Sequence, residues 1–296
     1  MAQVRGGQGG RGKDRRPVEE LKREVLRQLA NGSTVVNAML AVDRSVSTYE
    51  AWCKNDPEFR AQRDRVRGIR QATWAEEAQT GEFPDFAEFS KRYLDAEVFP
   101  HMNNVVDLIE RREPSFTHPA MVYERGEPDL IMANMPPEHG KSTTITMNYV
   151  AYRIFRDPNV RILIVSKTEG MAKKFLFGVK ERLTHPKYAE AQAKYGPPNG
   201  YDSNSEAWSQ KLIYISADAR DAGEKDPTVE ALGIRGHIYG ARADLIILDD
   251  CVDDTNAHEY EKQIDWIQGQ VMSRISASGA LLVVGHDLPR RICTLN

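Results

Sequence analysis

The chain is 296 residues long, with 41% hydrophobic and 28% charged residues and a formal net charge of −3. This length accommodates one large α/β domain and a small additional domain, and the composition is that of an ordinary soluble globular protein. Because the net charge is slightly negative, contact with nucleic acid would have to come from local basic patches.

The sequence also argues against several classes of protein. The longest apolar runs have the length of a strand, which is too short for a membrane-spanning helix. The N-terminus lacks an apolar segment of signal-peptide type, so we expect a cytoplasmic protein without membrane contact. The three cysteines are far apart and odd in number, which argues against a disulfide framework and a zinc site: Cys53, Cys251 and Cys293.

Residues 1–16 are a low-complexity leader with too few apolar side chains to offset the entropy of an ordered chain, so we predict disorder. Its single acidic residue, Asp14, is outnumbered by basic ones, namely Arg5, Arg11, Lys13, Arg15 and Arg16. A basic arm of this kind can touch DNA phosphates, and a solvated tail is the alternative.

The sequence of residues 17–80 has a helical pattern of apolar residues broken by turn signals, which predicts a small helical domain. Its helices are expected at 18–30, 34–41, 45–54 and from 57 onward. Ser45 should cap the third helix, and Tyr49 and Trp52 should point inward. The domain resembles the small helix-turn-helix domains of phage and transposase proteins, on Ser47, Thr48, Tyr49, Trp52, Asp56, Pro57 and Phe59. Its recognition helix is poor in basic residues, so a role in assembly fits as well as sequence reading.

Residues 81–128 predict a helical connector with amphipathic helices at 86–96 and 102–111. Residues 99–103 occupy the place at which nucleotide-dependent translocases often cradle the adenine. Packing of these helices against a sheet is the alternative.

A phosphate-binding loop is indicated where an apolar strand at 130–133 leads into a turn and then a helix that ends near Phe155. Lys141 would reach the β- and γ-phosphates, and the hydroxyl of Ser142 would hold Mg²⁺. Since Met135 replaces the usual first glycine, a helix N-terminus with an exposed lysine is the alternative. The residues expected to contact the nucleotide are Pro137, Glu138, His139, Gly140, Lys141, Ser142 and Thr143.

From residue 129 to 296, apolar strands alternate with helices, which predicts a mostly parallel sheet covered on both faces. The fold class is therefore α/β, a P-loop NTPase of RecA-like (ASCE) type with a small all-α N-terminal domain. We expect strands at 130–133, 161–166, 212–215, 243–248 and 280–284, and helices at 140–155, 168–183 and 258–275. The charged segment 218–226 should be exposed.

Two carboxylates, Asp249 and Asp250, follow a run of four apolar residues, 245–248. The strand should present both acids at its C-terminal end, where open α/β sheets bind ligands. Asp249 would hold Mg²⁺ through its water shell, and Asp250 would orient or deprotonate the attacking water. Most proteins with this chemistry carry Glu at the second position. Because Asp250 is one methylene shorter, either the strand sits closer to the phosphate or a nearby acid, Asp253 or Asp254, assists. A strand that ends in a polar turn is the alternative.

Other candidates surround this pair. His286, at the end of the last strand, could sense the γ-phosphate through a hydrogen bond, and a purely structural histidine is the alternative. Four arginines are candidates for neutralising charge in the transition state, from the same subunit or from a neighbour: Arg235, Arg242, Arg290 and Arg291. Each of them also fits an ordinary surface arginine.

Together, the string Met-Pro-Pro-Glu-His-Gly-Lys-Ser at 135–142, the glycine-rich approach at 233–244, the 245–250 strand and the strand at 283–286 resemble the ATPase domain of phage large terminase subunits. The likeness spans from near residue 85 to near residue 292. It implies an ATP hydrolase that uses Mg²⁺ and moves double-stranded DNA into a procapsid in the host cytoplasm. The implied partners are a homo-oligomeric ring, expected to be a pentamer on the portal, the portal protein and the small terminase subunit.

Two departures from that family qualify the prediction. Many members place an arginine in the loop where this chain has Glu138, so the charge would have to come from Arg235, Arg242 or a neighbour. Full-length terminases continue into a metal-dependent nuclease, whereas this chain ends at Asn296, so we expect no DNA cleavage from it. The alternative function is a helix-turn-helix adaptor that binds DNA or a partner and uses nucleotide as an assembly switch, with weak ATPase activity.

Overall fold

The computed structural model describes residues 16–31, 33, 35–66, 83–124, 126, 129–221, 223–236, 238, 242–252 and 256–285. Several predictions fall outside these ranges. They include the disorder predicted for residues 1–16, except at Arg16, the continuation of the fourth predicted helix beyond residue 66, and the roles given to Asp253, Asp254, His286, Arg290 and Arg291.

Four helices near the N-terminus pack around an apolar cluster of their own: α1 (Val18–Ala30), α2 (Val35–Ala41), α3 (Val46–Asn55) and α4 (57–66). Tyr49 is buried and its ring lies edge-on to that of Phe59, with centroids 5.9 Å apart. Trp52 packs against the same ring, so the inward direction predicted for both residues is confirmed. The prediction for Ser45 is wrong in one respect. Ser45 occupies the N-cap position of α3, but its hydroxyl contacts the hydroxyls of Ser47 and Thr48 and bonds to no backbone amide.

The connector contains α5 (Phe86–Tyr93) and α6 (Pro100–Ile109). Asp85 caps α5 by accepting the Glu88 backbone N–H at 2.8 Å. Helix α6 starts two residues earlier than predicted, because Pro100 suits the first helical turn. The ring of Phe86 lies edge-on to that of Tyr149, 5.2 Å away, which fixes the connector against the helix that follows the first strand.

One mixed sheet forms the centre of the described part of residues 129–285, with the strand order β1-β6-β5-β2-β4-β3. Its strands are β1 (Leu130–Asn134), β2 (Ile162–Ser166), β3 (Leu212–Ile213), β4 (Val229–Gly233), β5 (Ala243–Asp249) and β6 (Ile275–Gly285). All pairs are parallel except β3 with β4. The predicted α/β class with a mostly parallel sheet is confirmed.

Helices cover both faces of the sheet. On one face lie α5, α6, α7 (π-helical at Ser142–Tyr149, then α-helical at Val150–Arg156), α8 (Glu169–Thr184) and α9 (Ala189–Tyr195). On the other lie four consecutive short helical segments: Ala257–Glu259, α10 (Tyr260–Trp266), Ile267–Val271 and Met272–Arg274. Alternate strand residues serve the two faces: Ile164 packs in the first cluster and Val165 in the second.

The structure corrects four predictions about elements. Strand β4 was missed because Glu230, which is buried, interrupts its apolar run. Helix α9 lies in a stretch that was expected to be irregular. Strand β6 begins at Ile275, five residues before the predicted start. The segment 218–226 is only partly exposed, since Ala219 is buried. Among the helices described, none is long and apolar enough to cross a membrane.

Candidate functional site

The turn between β1 and α7 is held at both of its ends. At its entry, the Met135 backbone N–H donates to the carbonyl oxygen of Gly285 at 2.9 Å, which ties the turn to the end of β6. At its exit, the Gly140 carbonyl accepts the Thr144 N–H at 2.8 Å and starts the helix. Two residues have a left-handed backbone, Glu138 at φ 65° and Gly140 at φ 71°. Only the second is a glycine, so the turn carries some backbone strain at Glu138.

Lys141 ends the turn and is buried. Its ammonium nitrogen lies 3.5 Å from Oδ1 of Asp250, a carboxylate that is 28% exposed. Asp250 itself has a left-handed backbone, φ 46°, and its N–H donates to the Val284 carbonyl at 2.9 Å. The backbone therefore turns immediately after β5, and this turn directs the Asp250 side chain toward the end of the β1–α7 turn.

Asp249, the last residue of β5, is completely buried and accepts hydrogen bonds on both carboxylate oxygens. The Ser142 hydroxyl donates to Oδ1 at 3.1 Å, and the Thr146 hydroxyl donates to Oδ2 at 2.5 Å. Burial raises the pKa of Asp249 above its ordinary value, and the charge of Asp250 adds to this, while the two hydroxyls and Lys141 oppose it. The hydroxyl of Ser166, at the end of β2, donates to the Asp249 carbonyl at 2.9 Å.

The outer side of the turn faces solvent. Exposed residues there are Pro136, Pro137, Glu138, His139 and Gly140, and Thr143 is exposed in the first turn of α7. The ring of His139 lies 6.0 Å from that of His101, which stacks on Phe99 with centroids 6.0 Å apart. Burial lowers the pKa of His101, and His139 contributes in the same direction. A row of three rings thus borders the turn, and Phe99, at its end, is 52% exposed.

Two of the four candidate arginines lie within the described residues, and they lie at opposite edges of the sheet. Arg235 follows β4 at the edge of the sheet where Asp249 lies, and its Nη2 is 2.8 Å from Oε2 of Glu259. Arg242 precedes β5, whose seven residues span about 20 Å, so it lies at the opposite edge from Lys141. Its backbone N–H donates to Asp226 there. Arg242 is therefore not brought to Lys141 within one chain, and a role in a neighbouring subunit stays a prediction.

No family model matches the chain. Over 112 residues it is 32% identical to the terminase large subunit of Enterobacteria phage T3. The chain is similar to a phage terminase large subunit. The matched segment is 38% of this chain and 17% of that terminase, so this chain spans only a small part of its relative's length.

The oxygen atoms at the site suit a hard cation. Ser142 offers a hydroxyl and Asp249 a carboxylate, and both types of oxygen are ligands that Mg²⁺ accepts. Within the described residues, no group of three or more His, Cys, Asp or Glu side chains is placed to hold a metal ion. This donor set fits Mg²⁺, which keeps several waters and is usually bound through one or two carboxylates and substrate phosphates.

Sequence reasoning missed two polar residues of the site, Thr146 and Ser166. A signal for each was present. Thr146 lies four residues after Ser142 and therefore on the same side of a helix. Ser166 is the polar last residue of β2, which pairs with β5 in register with Asp249.

Proposed function

We propose that the chain is the ATPase part of a phage terminase large subunit, which hydrolyses ATP with Mg²⁺ to move double-stranded DNA into a procapsid. The observation that carries this proposal is the meeting of Lys141 and Ser142 with Asp249 and Asp250 at one edge of the sheet. Similarity to a terminase supports DNA packaging as the process that the ATPase drives. A ring on the portal, contact with the small subunit and a place in the host cytoplasm belong to the same proposal.

The β1–α7 turn would bind the phosphates. The first N–H groups of a helix have no intrahelical acceptor and carry a partial positive charge, which favours an anion at α7. Lys141 adds a full positive charge next to those groups. In the structure this charge is paired with Asp250, and a triphosphate would replace part of that pairing.

Ser142 and Asp249 would hold the cation. When bound, Mg²⁺ supplies charge neutralisation for the phosphate oxygens. The hydrogen bond between Ser142 and Asp249 already brings the two donors together, so little rearrangement of either side chain is required. Because Asp249 is buried, its ionised carboxylate is unfavourable by itself, and a bound cation would compensate that charge.

Asp250 would act on the attacking water. Its carboxylate is half-buried and lies next to Lys141, the residue assigned to the γ-phosphate. Water oxygen forms a bond to the γ-phosphorus, the bond from that phosphorus to the bridging oxygen breaks, and ADP leaves. Asp250 orients the water and accepts its proton.

Steady-state hydrolysis of ATP tests the proposal, with and without duplex DNA at matched salt. Wild type should turn over, and Lys141→Ala should lose about 100-fold or more of the rate because a phosphate-binding cation is removed. The matched control is Lys187→Ala, an exposed lysine paired with Asp95, which should behave as wild type. Absence of turnover in the wild type would refute the ATPase. Tight ATP binding without turnover would instead favour the nucleotide-switched adaptor.

A further inference from the structure

We propose that Thr146 determines which divalent cation the site accepts, by holding Oδ2 of Asp249 away from the cation so that only Oδ1, beside the Ser142 hydroxyl, faces it. This inference rests on the proposed nucleotide site and extends it to the selection of Mg²⁺ over Ca²⁺. Thr146 would be a positioning residue, since it acts through Asp249.

The contact that carries this inference is enclosed. Thr146 and Asp249 are both fully buried, and their Oγ1 and Oδ2 atoms are 2.5 Å apart. A threonine hydroxyl has one proton to donate, and in a helix it often donates to the carbonyl four residues earlier. Here the proton goes to Asp249 instead. Ser142, which bonds to the other oxygen, is only half-buried, so Oδ1 is the carboxylate oxygen next to the part of the site that solvent reaches.

Thr146 fixes the rotation of the carboxylate as a consequence. Ser142 and Thr146 lie one turn apart in the π-helical stretch of α7, and they bond to the two oxygens of one carboxylate. Turning the carboxylate so that both oxygens face the phosphates would break the bond to Thr146 and leave its hydroxyl buried without a partner. Such a loss is unfavourable, because a buried polar group without a partner keeps its full desolvation penalty.

One available oxygen suits one cation better than the other. Mg²⁺ takes octahedral coordination and keeps several waters, so a carboxylate that presents a single oxygen is sufficient. Ca²⁺ takes more oxygen ligands and often binds both oxygens of a carboxylate. By holding Oδ2, Thr146 withholds the second oxygen that Ca²⁺ would use.

The test is calorimetric titration of the full chain with ADP in excess Mg²⁺, in excess Ca²⁺ and in EDTA. The variants are Thr146→Ser, which keeps the hydroxyl, and Thr146→Val and Thr146→Ala, which remove it. The matched control is Thr228→Val, another fully buried threonine at the opposite edge of the sheet, whose hydroxyl oxygen accepts the Ile215 N–H at 3.1 Å.

Loss of the hydroxyl should weaken binding of ADP with Mg²⁺ about tenfold or more, the usual effect of removing a residue that orients a metal ligand. Binding with Ca²⁺ should change less or improve, and binding in EDTA should stay as in wild type. The ratio of the two cation affinities therefore shifts toward Ca²⁺. Thr146→Ser and Thr228→Val should keep the wild-type ratio. Because Thr146→Ala needs no repacking around a branched side chain, it serves if Thr146→Val does not fold.

The outcomes separate the inference from the proposed function. If removal of the hydroxyl leaves the ratio of the two cation affinities unchanged, including by an equal loss with both cations, Thr146 is merely structural and the inference is overturned. A Thr146→Ser variant that matches Thr146→Val would overturn it as well. Wild-type protein that fails to bind ADP or ATP under every condition would overturn the proposed function, and the inference with it.

Discussion

Replacement of Gly233 by alanine should destabilise the protein through a contact that cannot relax by side-chain rotation. A Cβ at this last residue of β4 would lie 2.7 Å from the amide nitrogen of Glu169 and 3.2 Å from the carbonyl carbon of Thr168. Ordinary contact begins near 3.4 Å, so β4 and the start of α8 must separate by about 0.7 Å, the difference between 3.4 and 2.7.

The expected cost of this overpacking is about 1–3 kcal/mol, partly offset by about 0.4–1 kcal/mol from the lower entropy of the unfolded chain. We therefore expect a net loss of about 1–2 kcal/mol in the free energy of unfolding, measured by urea titration. The matched control is Gly269→Ala, since a Cβ at Gly269 meets nothing within 4 Å and the same substitution should be neutral or stabilising. A Gly233→Ala protein as stable as wild type would refute the reasoning.

The same substitution should also reach the candidate site. Gly233 is in register with Ser166 on β2, and the Ser166 hydroxyl bonds to the carbonyl of Asp249. A shift of β4 against α8 thus strains the strand that supports this carboxylate. ATP hydrolysis, if the proposed function holds, should fall in Gly233→Ala and not in Gly269→Ala.

Three further predictions concern single side chains. Burial alone would raise the pKa of Asp244, but hydrogen bonds from Arg161 and Ser276 hold the pKa below its ordinary value. The ionised Asp244 therefore stabilises the fold at pH values above the pKa of the unfolded chain, and this stabilisation is lost as pH falls through the pKa of the folded protein. Asp244→Asn should therefore cost about 2 kcal/mol at pH 7 by urea titration, and the gap to wild type should close in acid; a gap that is constant with pH would contradict this. Asp250→Asn should lower the ATPase rate about 100-fold or more, whereas Asp250→Glu should retain much of it; equal rates for the two variants would count against proton acceptance. Phe99→Ala should weaken ATP binding about tenfold without changing thermal stability, because an exposed ring lost from beside the turn removes stacking with a base; unchanged affinity would favour the packing alternative.

Much of the sheet was predictable because its strands are buried on both faces and therefore have continuous apolar sequences. Strand β5, with four successive apolar residues, was found within a residue or two of its observed bounds. Strand β4 escaped because Glu230 makes its sequence look like a loop, and only the packing of the whole sheet shows that this carboxylate is buried.

The meeting of Lys141 with Asp250 and of Ser142 with Asp249 followed from one rule, that parallel strands present their C-terminal ends at one edge. The roles given to these four residues stay predictions. The same rule argues against Arg242, since a residue immediately before a parallel strand lies at the other edge. The spacing of Thr146 from Ser142 indicated a shared side of the helix, but not that both hydroxyls would bond to Asp249, because that contact depends on how the π-helical stretch packs against β5.

The place of β6 in the sheet has a consequence for synthesis of the protein. Strand β6 comes last along the described chain, yet it lies between β1, which leads to Lys141, and β5, which carries Asp249. Neighbouring strands in a sheet lie about 4.8 Å apart, so without β6 the strands β1 and β5 would be separated by a gap twice as wide. On the ribosome, the two halves of the site would therefore stay apart until residues 275–285 have emerged. If the proposed function holds, a nascent chain arrested before Ile275 should not retain nucleotide.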